Sequence, residues 1–501
     1  MASTTPINDT IWVFGDQMNR AFGPLATAEP RRHTILFVES QEHLARRAWH
    51  QQRVHLIVTS MRRFAQELKS EGFVVDYRRA SSYRHGLTEH QTAFSPSSIT
   101  AMAPSSYSGR AFITSLGVSL VDDDRFLTSP DEFQALFAGK KRFTMETFYR
   151  WQRQRLGYLM DGDEPVTGRW NYDEDNRQAL PKGGVDFPEP IKDHLDDLDR
   201  EVIDDLPDSV VGAVPAGWWP TSRSGALARL DHVISKVLPQ FGPYEDAMTT
   251  RSWHLAHTML SPALNLGLLH PREVADAIET AYRSGTVPIA SAEGLLRQVI
   301  GWREFVWCLY WTQGPEYKNL NALNATRPLP PLFTSGTTTM TCVSQVLGDI
   351  DTYGWTHHIP RLMVLGNLGL IAGIDPMQLM NWMSERFVDA AEWVMAPNVI
   401  GMALYGDGGV MATKPYAAGG AYIDKMSDFC KDCVFDRKAR TGPNACPFTT
   451  LYWDFLDRHH DQLRQNHRMA RQVAASGKLS DLEAVRIRAH EVLDRLDRGD
   501  L

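Results

Sequence analysis

Short apolar runs alternate with amphipathic stretches along the first quarter of the chain. Ile11-Trp12-Val13-Phe14 ends at Gly15-Asp16-Gln17, and Ile35-Leu36-Phe37-Val38 ends at Glu39. Val54-His55-Leu56-Ile57-Val58 reads as a third run, and the residues after it, Met61 to Glu71, have the period of an amphipathic helix. Val74-Val75-Asp76-Tyr77, Ser98-Ile99-Thr100-Ala101 and Val118-Ser119-Leu120-Val121 return to strand character. Apolar runs separated by helical patterns predict βαβ units and an α/β domain on a parallel, doubly wound sheet. Ligands of such sheets sit outside the carboxyl ends of the strands. Asp16, Gln17 and Glu39 fall at those ends, although polar residues are ordinary there too.

From about Phe133 strand-like runs thin out and helical patterns take over. The stretch from Gln178 to Thr221 is rich in Pro, Gly and acids and reads as a connector between domains. Beyond it the pattern predicts helices over Arg223–Phe241, His254–Leu268, Pro271–Ser284, Ala292–Trp311, His358–Gly373 and Pro376–Phe387. Pro376 directly after Asp375 suits the first turn of a helix. The expected organisation is therefore an α/β domain over 1–132, a helical segment and connector over 133–222, and a large all-α domain over 223–501. No internal repeat or low-complexity tract is visible.

Composition adds limits. At 501 residues the chain is too long for one core. Hydrophobic residues at 43% and charged residues at 22% are the balance of a globular protein. No stretch reaches the length of apolar residues that spans a bilayer, and no basic segment followed by an apolar run opens the chain, so a cytoplasmic protein is expected. The net charge of −8 excludes diffuse attraction to nucleic acid. A local basic face would have to serve, from Lys140, Lys141, Arg142, Arg150, Arg153 and Arg155, or from Lys431, Arg437, Lys438 and Arg440. Solvated surface charge is the commoner origin of such groups.

The five cysteines carry chemistry. Cys430-Lys431-Asp432-Cys433 lets two thiolates face one centre. Cys446 follows, succeeded by Pro447, and Cys342 lies well upstream. Structural disulfides are unexpected in a cytosolic protein. Four thiolates hold either zinc or an iron–sulfur cluster, and by spacing alone zinc is the commoner occupant. Cys308, in Trp307-Cys308-Leu309, reads as a core residue.

Longer motifs narrow the choice. The segment from Glu293 through Arg297-Gln298, Gly301-Trp302-Arg303 and Phe305 resembles the flavin-binding helix of the cryptochrome/photolyase family. His257-Thr258-Met259-Leu260-Ser261 resembles its phosphate-binding segment, and Gly242 through Tyr244 to Met248 the stretch before it. His357-His358-Ile359-Pro360-Arg361, Ala372-Gly373-Ile374-Asp375-Pro376, Pro397-Asn398-Val399-Ile400, Thr413-Lys414-Pro415-Tyr416 and Met426-Ser427-Asp428-Phe429-Cys430 are similar to the iron–sulfur bacterial branch. So are Asn444-Ala445-Cys446-Pro447-Phe448 and Leu451-Tyr452-Trp453-Asp454-Phe455. Gly168-Arg169-Trp170-Asn171 fits as well, so the resemblance covers almost the whole chain.

That resemblance implies a cryptochrome/photolyase fold: an antenna domain followed by an all-α FAD domain. It implies FAD held by Tyr244, His257, Thr258, Leu260, Ser261, Glu293, Gln298, Trp302, Arg303, Arg361, Asn367, Asp389 and Asn398. Arg361 and Asp389 would form the ion pair beside the flavin. It turns Cys342, Cys430, Cys433 and Cys446 into ligands of a [4Fe-4S] cluster. A 6,7-dimethyl-8-ribityllumazine antenna would lie by Asp16, Gln17 and Glu39. His357, His358, Tyr416 and Tyr422 would line a lesion pocket, with a histidine suited to proton transfer by its near-neutral pKa. Trp382 would be the flavin-proximal electron donor. The implied activity is light-driven repair of (6-4) photoproducts in UV-damaged DNA by a monomer, with a photoreceptor that does not repair as the alternative. Acids in Asn171–Asn176 are candidates for a divalent ion such as Mg2+, although a solvated turn explains them more simply. Three positions depart from the branch: Thr334 and Met383 where aromatic relay residues are common, and Met395 where a polar group near the flavin is expected.

Overall fold

The computed structural model describes residues 9–140 and 142–501. Five parallel strands form the N-terminal sheet: β1 (Asp9–Trp12), β2 (His33–Ser40), β3 (Val74–Ala80), β4 (Ser98–Met102) and β5 (Ser119–Val121). Their spatial order is β3-β2-β1-β4-β5, with Ile11 opposite Ile35 on one side and Thr100 on the other. The order reverses between β1 and β4, which is where such a sheet opens a crevice. Asp16 and Gln17 follow β1 at that point.

The run at 54–58 is not a strand. It lies inside helix α1 (Gln51–Ser70), whose cap is the His50 side chain accepting from Gln52 N. Sheet residues cover one side of α1 and the helix Asp197–Asp204 another, so Val54, His55, Leu56 and Val58 are all buried. A helix buried on several sides shows an unbroken apolar run and loses its 3.6-residue signature. The connector is docked in the same way. Arg63 binds Asp196 and Asp199, and Arg62 binds Glu201 and Asp205, all from that helix and its two cap residues.

The remainder is helical. The expected helices at 223–241, 271–284, 292–311, 358–373 and 376–387 are present with shifted ends. That at 254–268 is not: Ser261–Asn265 alone is helical, and Leu255 and Met259 have positive φ of 47° and 54°. The apolar residues there are buried in an irregular segment, where burial supplies hydrophobicity without a period. One apolar interior runs from Ile11 and Phe37 of the sheet into Phe305 and Leu365 of the helices. Polar ties cross the same boundary: Glu304 Oε2 accepts from Leu127 N and Thr128 N at 2.7 and 3.0 Å. No helix among the described residues is long and apolar enough to cross a membrane.

Candidate functional site

Three helices widen where candidate side chains emerge. Arg297–Arg303, Pro360–Gly366 and Ala396–Ala403 take π turns, which recur at functional positions in other helices. They carry Gln298, Trp302 and Arg303, then Arg361, then Asn398. A fourth, Val233–Val237, carries no candidate.

Arg361 and Asp389 meet as expected. Two guanidinium N–H groups donate to the two carboxylate oxygens at 2.9 and 3.0 Å. Ser261 Oγ donates to the same carboxylate at 2.7 Å, and Asn265 Nδ2 to the Asp389 carbonyl at 2.7 Å. Arg361 Nε donates to Thr356 O at 2.7 Å, and its charge lies 4.0 Å from the centre of the Phe387 ring. The positive charge is thus paired and fixed. Asn265 escaped the sequence reading, yet its spacing of four from Ser261 puts both on one side of a helical turn.

Several polar atoms of the helical domain are unsatisfied, those of His257, His357 and Trp355 beside this pair. The rings of His257 and His357 stack, with centroids 4.1 Å apart and planes 19° apart. Burial holds His257 down to about 3, with His358 the next cause. Burial likewise holds His357 well below the usual range, with His257 next. His257 Nε2, His357 Nδ1, Trp355 Nε1, Glu293 Oε1, Glu245 Oε2 and Arg303 Nε are buried without a hydrogen-bond partner. Each such atom costs about 1–3 kcal/mol, so a concentration of them fits a surface made for a polar ligand. His358 is exposed, yet protein crowds it enough to bring its pKa to about 4, through lost hydration first and Arg361 second. A ring on the floor of an open recess accounts for both observations.

Tyr416 and Tyr422 are half-buried. Burial raises both phenol pKa values, Asp246 adds to each rise and Arg177 opposes it, so one Asp246–Arg177 pair faces both. Asn367 clamps the loop after Tyr416: its Nδ2 donates to Ala418 O at 2.8 Å and its Oδ1 accepts from Ala418 N at 3.0 Å. Glu293 accepts from Tyr172 N at 2.9 Å, and Asn398 Nδ2 donates to Val394 O at 2.7 Å. Tyr244 packs against Phe187, Trp302 against Phe305, and Thr258 Oγ1 accepts from Leu260 N. Gln298 is exposed. Trp382 is buried, donates Nε1–H to Phe333 O at 2.7 Å, and packs on Phe387, the ring that lies against Arg361.

At the sheet, Asp16 accepts from Ser105 Oγ at 2.9 Å and pairs with Arg125 at 3.0 Å. Gln17 Nε2 donates to Met102 O at 3.0 Å. Glu39 pairs with Arg62 at 3.1 Å and accepts from Tyr77 Oη at 2.9 Å. The first basic face is broken: Arg153 is fully buried, donating to the carbonyls of Tyr158, Leu159 and Trp170. Lys141 lies outside the described residues. Of the expected acids, Asp173 pairs with Arg177 and Asp175 with Arg169.

Cys342, Cys430, Cys433 and Cys446 line one small cavity, together with Arg437 and the rings of Phe429, Phe435 and Phe448. Cys342 opens helix α2 (Thr341–Tyr353), and Cys446 precedes helix α3 (Pro447–Arg458). A Cβ at Gly420 would lie 2.9 Å from Cys446 Sγ, so the cradle closes there on a missing side chain. Burial pushes the Cys430 thiol up to about 12, with Cys446 the next cause. Burial raises the thiols of Cys342 and Cys446 as well, and thiols that crowd one cavity in this way suit a cationic group that holds them as thiolates. Among the described residues no group of three or more His, Cys, Asp or Glu has the spacing for a single ion.

Residues 11–214 match the family described as deoxyribodipyrimidine photo-lyase-related protein. Over 512 aligned positions the chain is 37% identical to the (6-4) photolyase of Agrobacterium fabrum, covering 98% of this chain and 100% of that protein. A bacterial class III photolyase from Agrobacterium tumefaciens has the same fold, with a TM-score of 0.60 at 16% identity and 99% of each chain covered. A cryptochrome from Synechocystis sp. superposes with a TM-score of 0.54 at 15% identity, over 79% of this chain and 82% of that one. The sheet and the helical domain thus have the fold of photolyases and cryptochromes. The chain belongs to the cryptochrome/photolyase family, and membership implies FAD as its cofactor.

Proposed function

We propose that this chain is a (6-4) photolyase, acting on UV-damaged DNA with 1–132 as antenna domain, 133–222 as connector and 223–501 as flavin and cluster domain. The observation that carries the reading is the meeting of a fixed Arg361–Asp389 pair, two stacked histidines with free nitrogens, and an exposed His358 close to both. Bound there, FAD supplies light-driven donation of one electron. Arg361 holds positive charge where negative charge develops, and Asp389 and Ser261 keep it in position. His257, Thr258, Leu260, Ser261, Tyr244, Glu293, Gln298, Trp302, Arg303, Asn367 and Asn398 complete the cofactor's seat. A damaged base pair opens more cheaply than an intact one, out of a penalty of a few kcal/mol, and the extruded lesion enters the recess. His358, neutral at physiological pH, accepts or returns a proton at Nδ1 or Nε2 of its ring, while Tyr416 and Tyr422 offer phenol O–H groups. His357 backs it.

The four thiols hold a [4Fe-4S] cluster in the same proposal. Four cysteines that line one cavity, two of them in a C-x2-C pair and one followed by Pro447, are the ligand set such a cluster takes. A lumazine antenna sits by Asp16, Gln17 and Glu39, Trp382 donates to the flavin, Mg2+ lies by Asp173, and the protein works as a cytoplasmic monomer. The test is illumination of the reduced protein with an oligonucleotide carrying one (6-4) product. Restored bases are expected by chromatography, and His358→Ala should remove nearly all turnover. Undiminished lesion in the parent would overturn the assignment.

A further inference from the structure

Four tryptophans and a tyrosine run as a ladder from Arg361 to the surface. Arg361 lies 5.8 Å from the ring centre of Trp355. Trp355 meets Trp253 edge to face at 5.8 Å. Trp253 lies flat on Tyr353, with centroids 3.8 Å apart and planes 7° apart. Trp218 packs against both at 5.4 Å, and Trp219 touches Trp355 and Trp253. Trp355 is buried, while Trp253, Tyr353 and Trp218 reach solvent. Packing explains apolar contact there, but aliphatic side chains or Phe would serve it equally. Indole and phenol are the rings that give up an electron most readily.

We propose that Trp355, Trp253 and Tyr353 form the route by which electrons from solvent reach the flavin seat beside Arg361. The inference rests on the flavin reading above. Excited, oxidised flavin gains one electron and Trp355 loses one. Trp253 refills Trp355. Tyr353 refills Trp253 and releases its phenol proton to water. An external thiol returns one electron to Tyr353, which takes a proton back from water.

The charges around the ladder set its direction. Arg361 disfavours a positive hole on Trp355 and drives it outward. Lys192 Nζ stands 4.7 Å from Trp218 and the Arg229 charge 5.9 Å from Trp219, so both side branches are disfavoured. Tyr353 instead faces the carboxylates of Asp349 and Glu189, which favour positive charge. Trp355 Nε1 has no hydrogen-bond partner, so an oxidised indole there has no neighbour to take its proton and the hole stays mobile. The route is a second one beside Trp382, which meets Arg361 through no direct ring contact but packs on Phe387, the ring that lies against the Arg361 charge.

The test uses the flavin-bound protein, oxidised and free of oxygen, under blue light with dithiothreitol. Photoreduction is followed by loss of the flavin's blue absorption, and ring radicals by transient absorption. Flavin content and melting temperature are measured for every variant. Trp253→Phe should slow photoreduction on the order of tenfold or more at unchanged flavin content. Tyr353→Phe should remove the tyrosyl signal and lengthen the life of a tryptophan radical. Trp355→Phe should abolish the earliest radical; should it lose flavin instead, the two outer variants decide. Parental photoreduction in Trp253→Phe and Tyr353→Phe would overturn the route, most directly if Trp382→Phe alone stopped it. A parent that takes up no flavin at all would instead sink the cofactor reading together with the route.

Discussion

At the carboxyl ends of β1 and β2, Gln17, Glu39 and Asp16 are paired within the protein, to a carbonyl, to Arg62 and Tyr77, and to Arg125 and Ser105. Around Arg361, groups equally deep are left open: His257, His357 and Trp355 each keep a buried polar atom without a partner. Both regions bury polar groups, but the first uses them to hold the fold and the second keeps them for something else. A substitution should therefore cost stability at the sheet and ligand retention among the helices.

Breaking the Arg361–Asp389 pair of the second region should have the largest effect. Asp389→Asn leaves Arg361 without a counter-charge, and about 3–5 kcal/mol of unfolding free energy should be lost together with flavin absorbance. Urea denaturation and the flavin-to-protein absorbance ratio read the two effects. Glu39→Gln should cost about 2 kcal/mol, since Arg62 keeps Glu201 and Asp205. Its flavin content should stay parental; an emptied flavin seat with unchanged stability would break the contrast. His257→Phe should move the other way, raising the stability of flavin-free protein by up to about 1 kcal/mol while retention falls. A drop in both would return His257 to the structural class.

The smallest effect is one of pH. His257 and His358 have folded pKa values of about 3 and 4, below the unfolded value of 6.5. The unfolded chain therefore takes up protons first as acid is added. Their contribution is intact above about pH 6.5 and drains as pH falls toward 4. In flavin-free protein the acid limb of a stability profile should be shallower for His257→Phe than for the parent.

The sheet was readable because β1 to β5 alternate with helices in short, bounded runs. The exceptions have one cause. At 54–58 and 254–260 the chain is buried on several sides, and apolar composition then says nothing about period. Arg361 and Asp389 were legible through a shared motif, and the thiols through their spacing. Arg153 was misjudged because charge shows in a sequence while the carbonyls that bury it do not. Trp218, Trp219 and Trp253 carry no motif, and their ladder exists because the connector folds back on the helices.

The widened turns bear on how this chain tolerates insertion and deletion. A π turn is an α-helix holding one residue more than its ladder needs. Removing a single residue from Pro360–Gly366 would let regular hydrogen bonding resume and would draw in the bulge that carries Arg361, while the turns on either side kept their register. Arg361 would then leave Asp389 with no side chain altered. A loop of this size forgives such a loss; here one codon separates a helix that presents Arg361 from a straighter one that does not.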